Sequence, residues 1–528
     1  MCGIVGFISP KNFDLYERDL SEAVSCLTHR GPDDSGLFFD RNAGIGLGHR
    51  RLSVLDLSAS GRQPMAGDDG EVQLAYNGEI YNFKEIRRTL EGYGYHFKSA
   101  TDTEVVLNAY LEWGIDCLKY FIGMFALALW DGREGRLLMA RDRMGIKPLY
   151  YHLSRGTLLF ASELKALMTF KGFERSLDPD AILLFLHYQY VPAPRTVFRN
   201  TFKLLPGHYG VFDGQDVQIS PFWGLPECAS ESGKTFARED EVLEELDHLL
   251  TRAVSDRLIS DVPLGALLSG GIDSSIVVAL MQKVNTTPVR TFSIGFEDPK
   301  YNEAPWASKV AGHLGTEHTE FYVTPKEAMD VIPELPEIYD EPFADSSAIP
   351  TFLVSRLARS HVTVALSGDG GDEQFCGYVR YWSTEEMYSR FNRLPRQARR
   401  LLAYTSGHVP RVCERAYPFL SRFAPKRFRM ANFPDKWQKL VAMMEKDSLM
   451  DLYRTSICLW PVNETPLLND RGLPEGAFEQ SFRIGETWPI LSRLMRVDQM
   501  TYLPDDLLTK VDRASMAVSL EDRACRET

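Results

Sequence analysis

Gly265-Ala266-Leu267-Leu268-Ser269-Gly270-Gly271-Ile272-Asp273-Ser274-Ser275 is a short apolar run, a glycine pair, and then acidic and hydroxyl residues opening a helical pattern that continues to about Lys283. A strand that ends in such a turn and restarts as a helix provides the setting of an anion-binding loop. The glycines let backbone N–H groups converge on phosphate oxygens, the serines add donors, and the helix N-terminus adds partial positive charge. It is not a Walker loop, because the spacing G-x-x-x-x-G-K-S/T is absent from the chain and no lysine follows the glycines. A Gly-Gly turn with a Ser or Asp helix cap would give the same short string. A second loop weakens that alternative. Ser367-Gly368-Asp369-Gly370-Gly371-Asp372-Glu373 also follows a β-type run, Val362 to Leu366, and would put its acidic residues at the carboxyl edge of the same sheet, where ligands of parallel sheets bind. Asp273 and Asp372 are candidate Mg2+ ligands, since magnesium takes one or two carboxylates together with phosphate oxygens and water.

Outward from these loops the chain divides in two. Val242, Leu243, Leu246, Leu249, Leu250, Val254 and Leu258 recur at helical spacing; strands are expected at Val289 to Phe296, near 319–324 and at Val362 to Leu366, with a helix near 303–314. Strands alternating with helices imply βαβ units and a parallel sheet. Residues 380–528 read as mainly helical. Upstream the pattern changes to short strands broken by Gly, Asn and Asp: Ile4 to Ile8, Gly46 to Leu55, Val72 to Tyr76, Phe125 to Trp130 and Leu137 to Arg141, with helices near 83–91 and 103–112. This is an α+β pattern with mostly antiparallel sheets. The expected division is a first domain over 1–210, a connection over 211–240 whose Pro, Gly, Ser and charge content rises from about Pro221, and a second domain over 241–528.

A length of 528 residues exceeds one hydrophobic core and fits two domains. The net charge of -13 argues against nucleic acid, which needs a basic face. No apolar run reaches the roughly 18 residues of a membrane span, and the N-terminus lacks a basic leader, so a cytoplasmic enzyme is expected. The eight cysteines are scattered without a C-x-x-C pair, which supports neither zinc nor a disulfide framework.

Cys2 stands apart by position. Once Met1 is removed, it carries a thiol and an α-amine on one residue; the amine, with an ordinary pKa of roughly 8, can serve as base to the thiol. A thiol nucleophile acting on an amide needs donors for the oxyanion, and Asn77-Gly78-Glu79 offers an amide side chain and a glycine N–H. Arg51 and Asp102 would meet the carboxylate and ammonium of free glutamine. Singly, each has a plainer reading: Asn-Gly is a common hairpin turn, and Arg51 could be a solvated strand residue. Together, Met1-Cys2-Gly3-Ile4-Val5-Gly6, His29-Arg30-Gly31-Pro32-Asp33, His49-Arg50-Arg51-Leu52-Ser53, Tyr76-Asn77-Gly78-Glu79-Ile80-Tyr81-Asn82 and Thr101-Asp102-Thr103-Glu104 resemble the class II glutamine amidotransferases, whose glutaminase domain has the N-terminal-nucleophile fold of sandwiched antiparallel sheets. The resemblance implies Cys2 as nucleophile, Asn77 and Gly78 as oxyanion hole, and Arg51, Leu52, Ser53, Val54, Leu55, Glu79 and Asp102 as glutamine contacts. Arg141 to Tyr151 extends the match and is expected to shape the domain interface.

The Ser-Gly-Gly-x-Asp-Ser loop resembles the PP-loop of ATP pyrophosphatases, and with Ser367 to Glu373 it resembles the asparagine synthetases. That resemblance implies ATP, with Mg2+, at Leu268, Ser269, Gly270, Gly271, Asp273, Ser274, Ser275, Ile294, Ser367 and Gly368, and gives Asp369 a part in forming an acyl-adenylate. Asp505 to Met516 matches another stretch of that family, with Lys510 as the cation facing the transition state, and Tyr339 to Ser347 is expected near the acceptor pocket. The implied reaction transfers ammonia from glutamine to aspartate at the expense of ATP, in a chain that is a homodimer by family expectation.

Two departures stand out. After Leu520-Glu521 the family text continues Val-Arg-x-Pro-Phe-Leu-Asp and several helices, whereas this sequence reads Asp522-Arg523-Ala524-Cys525-Arg526-Glu527-Thr528, which resembles a truncation or frameshift and is expected to cost the second domain stability. Cys376 also stands where the family often has Gly. Three alternatives stay open: an amidotransferase acting on a sugar acid or peptide carboxylate, a β-lactam-forming relative that the intact Cys2 set argues against, and a non-catalytic remnant.

Overall fold

The computed structural model describes residues 1–226, 238–406, 433–461, 464–465 and 472–524. Residues 227–237 of the expected connection, and Cys228, Cys413 and Cys525, lie outside the described residues.

In the first half two six-stranded antiparallel sheets face each other. One runs in the order Thr201–Lys203, Tyr150–Ser154, Thr157–Ala161, Gly3–Ile8, Ile45–Arg51, Asp34–Asp40; the other runs Val217–Pro221, His208–Phe212, Arg136–Arg141, Gly123–Asp131, Val72–Ile80, Met65–Ala66. Alternation along the strands makes the layers. Ile4, Ile8, Ile45 and Leu47 face Ala75, Ala126, Leu137 and Met139 between the sheets. Val5 and Phe7 point the other way, onto the helix Phe13–Cys26, and Leu74, Tyr76 and Leu127 onto the helices Phe83–Gly92 and Asp102–Trp113. The sandwich is thus covered by helices on both outer faces.

The second half holds a five-stranded parallel sheet in the order Glu317–Val323, Arg290–Phe296, Leu264–Leu267, Val364–Ser367, Glu521–Ala524. Leu264–Leu267 and Val364–Ser367 are neighbours, so both glycine-rich loops leave the same edge side by side. The helices Glu239–Arg257 and Ile272–Val284 pack near the sheet's first strands, and beyond it follow the helices Val379–Phe391, Leu449–Ile457, Ala477–Ile484 and Ile490–Met500. A π-helical turn, Leu503–Leu507, then leads into Leu508–Met516.

Several expectations shift. The sandwich continues to Pro221 through two paired strands, so residues 211–221 belong to its second sheet rather than to the connection. The strand expected over Gly46 to Leu55 ends at Arg51, where the chain turns towards the second domain. Asn77-Gly78 is no hairpin turn; both residues lie within the strand Val72–Ile80, paired with Ala126 and Phe125. Residues 380–528 are not wholly helical, because Glu521–Ala524 is a buried parallel strand. Its charged sequence hides it from any apolar pattern, and those charges find partners inside the fold.

Candidate active sites

Cys2 immediately precedes the strand Gly3–Ile8 at the centre of the first sheet, with 7% of its surface exposed. Its backbone N–H donates to Asn77 Oδ1 at 2.9 Å. That leaves the Asn77 Nδ2 group, fully buried, without a partner. An idle amide donor beside a thiol is what an oxyanion hole presents before substrate binds. At Gly78 a Cβ would lie 2.3 Å from the Met124 carbonyl oxygen, so only glycine allows this strand to pack so closely on its neighbour. Burial pushes the Cys2 thiol up, against the lowering effects of the Met1 ammonium, the Leu52 N–H and Arg51.

The glutamine-binding candidates gather around this point. Asp102 begins the helix Asp102–Trp113, and its Oδ2 accepts from Tyr76 Oη at 2.8 Å and from the Ile80 N–H at 2.9 Å. Burial raises Asp102 to about 6 in spite of those donors. Burial, then the nearby Asp102, raises Glu79 well above the usual carboxylate range. Two poorly neutralised carboxylates match an incoming ammonium. Arg51 behaves differently from a free clamp. Its guanidinium donates to the Ser58, Leu55 and Asp56 carbonyls at 2.9, 3.1 and 2.5 Å and so shapes the loop that carries Leu52, Ser53, Val54 and Leu55.

The second site is a cavity of about 410 Å³ at the carboxyl edge of the parallel sheet. Leu268, Ser269, Asp273, Ser274, Ile294, Ser367, Gly368, Asp369, Asp372 and Lys510 all line it. Gly270, Gly271 and Ser275 complete the loop without lining the cavity. Gly270 has φ of +80°, and a Cβ there would meet the Ala307 nitrogen at 2.5 Å, so both its backbone angle and its neighbour demand glycine. Serines hold the loop from inside: Ser269 Oγ lies 2.9 Å from Ser274 Oγ, and Ser275 Oγ donates to the Gly271 carbonyl at 2.6 Å. Lys510 Nζ donates to Asp345 Oδ2 at 2.7 Å and Ser347 Oγ at 3.2 Å. No three His, Cys, Asp or Glu side chains among the described residues converge as a ready metal cage. Asp273 and Asp372 nevertheless open on one cavity with the phosphate-type loop, which fits a magnesium ion that draws its other ligands from phosphate and water.

Residues to which the motifs assigned no role join the two sites. Arg30, wholly buried, donates through Nε to the Cys2 carbonyl at 3.0 Å and through Nη1 to Glu163 at 2.8 Å, while its fork grips Asp512. Arg513 in turn pairs with Glu163 at 2.9 Å, and Lys147 with Asp512 at 3.3 Å. The Met1 ammonium pairs with Glu521 at 2.8 Å; burial opposes ionisation of Glu521, but the ammonium and Arg523 hold it down at about 2. Beside it, Asp522 accepts from Ser367 Oγ at 2.8 Å, and burial followed by Asp369 pushes its carboxyl up to about 8. Around these charges Met1, Leu52, Val54, Met124, Val364, Leu503, Leu508 and Met516 form one apolar cluster that draws from both halves. The blocks His29 to Asp33 and Asp505 to Met516 hinted at this, and Arg141 to Tyr151, expected to shape the domain interface, supplies Lys147.

A sandwich with a buried cysteine beside an idle amide donor, followed by a parallel sheet whose paired glycine loops share a cavity, defines a glutamine amidotransferase joined to a nucleotide-dependent synthetase. Residues 1–223 match the family of glutamine amidotransferase domains, and residues 245–524 the asparagine synthase family. Asparagine synthetase (glutamine-hydrolyzing) 1 of Bacillus subtilis is 32% identical over 528 residues, 99% of this chain and 79% of its own. A relative from Methanocaldococcus jannaschii is 38% identical over 402 residues, 72% of this chain and 76% of its own. The amidase chry2 of Gibberella zeae is 31% identical over 406 residues, 72% of this chain and 59% of its own. The chain belongs to the glutamine-hydrolysing asparagine synthetase family. No helix among its described residues is long and apolar enough to cross a membrane.

Proposed function

We propose that the chain, as a cytoplasmic homodimer, converts aspartate to asparagine with glutamine and Mg-ATP, forming glutamate, AMP and pyrophosphate through an aspartyl-adenylate. With Met1 removed, the α-amine of Cys2 takes the thiol proton as sulfur attacks the glutamine carboxamide. Asn77 Nδ2 and the Gly78 N–H receive the oxyanion, Asp102 and Glu79 hold the ammonium, and the loop shaped by Arg51 closes on the carboxylate end. Ammonia leaves, and water hydrolyses the thioester to glutamate. In the second cavity the aspartate side-chain carboxylate attacks the α-phosphorus, with Lys510 neutralising the developing charge and the Ser269 to Ser275 loop receiving pyrophosphate. Magnesium held by Asp273 and Asp372 would neutralise the phosphate oxygens. Ammonia then displaces AMP.

The observation that carries this reading is the continuity between the sites: Arg30 touches the Cys2 carbonyl and Asp512, and Asp512 lies two residues from Lys510 on one helix. The apolar cluster between the halves supports this reading, since a passage along it would be water-poor and would keep ammonia in its nucleophilic neutral form. The test is pyrophosphate release with Mg-ATP and glutamine, with and without aspartate, and analysis of products for asparagine. Pyrophosphate that depends on aspartate and matches asparagine supports the proposal; glutamate without pyrophosphate rejects the synthetase half.

A further inference from the structure

Glu521 begins the strand Glu521–Ala524 of the second domain, yet its Oε2 accepts from the Met1 ammonium of the first at 2.8 Å, and both groups are closed off from solvent. We infer that in the chain that has lost Met1, Glu521 holds the α-ammonium of Cys2, which makes a residue of the synthetase domain a positioning partner of the glutaminase nucleophile. This rests on the reading of Cys2 as a thiol served by its own amine, and deepens it.

Excision of Met1 takes away the donor to Glu521 Oε2, while Oε1 stays with Arg523 Nε at 2.7 Å. A buried carboxylate oxygen stripped of its donor is costly. The same cleavage creates a new donor, because the Cys2 nitrogen, an amide in the uncleaved chain, becomes an amine. Covalent geometry keeps that nitrogen within about 3.6 Å of the place the Met1 nitrogen held. The backbone at Cys2 is tied on both sides: its N–H donates to Asn77 Oδ1 at 2.9 Å, and its carbonyl accepts from Arg30 Nε at 3.0 Å. The new positive charge thus arises one residue's reach from the oxygen that lost the old one. Glu521 is close enough to act on the thiol as well, since its charge is among those that push Cys2 up.

The neighbouring charges leave this part to Glu521. Arg523 on its own strand, Lys147 from the loop before Tyr150–Ser154 and Arg51 at the end of Ile45–Arg51 are cations. Burial raises the carboxyls of Glu79, on the second sheet, and Asp102, on its helix, whereas the Met1 ammonium and Arg523 keep Glu521 ionised. An anion beside an amine favours the protonated amine. When the thiol passes its proton to the amine, thiolate and ammonium form, and Glu521 stabilises the ammonium of that pair; burial of the thiol makes the help necessary, because it opposes the thiolate. Glu521 pairs through its backbone with Val364, in the strand that leads to the Ser367 to Glu373 loop, so activation of the thiol is tied to the presence of the synthetase sheet.

The experiment uses the full chain, with loss of Met1 confirmed by mass spectrometry, as wild type, Glu521→Gln and Glu521→Asp. Glutamine hydrolysis is followed over the pH range in which amines and thiols titrate, and pyrophosphate release with ammonium chloride and aspartate is measured beside it. In Glu521→Gln, kcat for hydrolysis should fall by about tenfold, and the acid limb of kcat/KM should move down by about one pH unit, because the amine loses the anion that favours its proton. Glu521→Asp, which keeps the charge on a shorter stem, should keep the wild-type limb and lose less rate. Pyrophosphate release should stay within about twofold in both variants, as neither touches the nucleotide cavity. Folded variants with wild-type rate and pH profile would overturn the inference and leave the glutaminase reading standing. An equal fall in both activities without movement of the limb would make Glu521 a packing residue only, and would overturn it too. Absence of glutamine hydrolysis by the processed wild type would reject the glutaminase reading and the inference with it.

Discussion

Arg30 donates to both carboxylate oxygens of Asp512, at 2.8 and 3.0 Å, across 482 residues of sequence, while its Nε holds the Cys2 carbonyl. Both side chains are buried, and burial works against the Asp512 carboxylate, yet Arg30 and Lys147 keep it below its usual range. One guanidinium therefore fixes the nucleophile's backbone and the synthetase helix Leu508–Met516 together.

Breaking this fork should be severe. Asp512→Ala leaves Arg30 with Glu163 alone and takes from buried Lys147 its carboxylate partner, at an expected cost of about 3–5 kcal/mol in chemical denaturation. Replacing Arg30, Lys147 and Asp512 together by Met, Met and Leu should recover part of that stability, because Glu163 keeps Arg513 and no buried charge loses its only partner. It should not recover glutamine hydrolysis, since the Cys2 carbonyl still lacks its donor; stability and activity measured side by side separate the two effects.

Asn77→Ala removes the idle Nδ2 donor and the acceptor of the Cys2 N–H. Glutamine hydrolysis should fall by about 10²–10³ in kcat. Pyrophosphate release with ammonium chloride in place of glutamine should persist, because the second cavity is untouched. Loss of both activities would point instead to collapse of the fold.

Asp522 should make stability depend on pH. Its folded carboxyl titrates at about 8, above its ordinary range, so the folded state holds a proton that the unfolded chain has released. Stability from this group is complete below about pH 4 and is lost as pH rises towards 8, at up to about 1.4 kcal/mol per unit. Asp522→Asn, which keeps a partner for Ser367, should be more stable than wild type by a margin that widens between pH 5 and pH 8. Urea unfolding without nucleotide, at several pH values, reads that margin; a margin that stays constant contradicts it.

Cys376 has φ of +59°, in the left-handed region where a side chain is strained, which gives a physical reason for glycine at this place in the resembling family. Cys376→Gly should change stability by less than about 1 kcal/mol, relief of strain being offset by the freer unfolded chain. Cys376→Val should destabilise by about 2 kcal/mol, because a β-branched residue fits that conformation worst. Thermal unfolding of the two variants distinguishes strain at this position from simple loss of a thiol.

The sequence by itself determined the two architectures and where the chemistry is proposed, because those determinants are local. Strand-loop-helix punctuation at Ser269 to Ser275, period-two alternation in Val72 to Tyr76, and the pairing of a thiol with an N-terminal amine at Cys2 can each be read within a dozen residues. The line of contact between the sites could not be read that way. Arg30 with Asp512 and Met1 with Glu521 join positions 482 and 520 residues apart, and within the second domain Ser367 meets Asp522 across 155. Nor does periodicity reveal a strand such as Glu521–Ala524, whose polar side chains are stable in the interior only because partners meet them there. Arg51 shows the same limit at shorter range: its residue type suits a carboxylate clamp, and only the structure shows that it also donates to the carbonyls of Leu55, Asp56 and Ser58. Residue type fixes what a group can do; in a low-dielectric interior the partners that the tertiary structure brings within hydrogen-bond distance decide what it does.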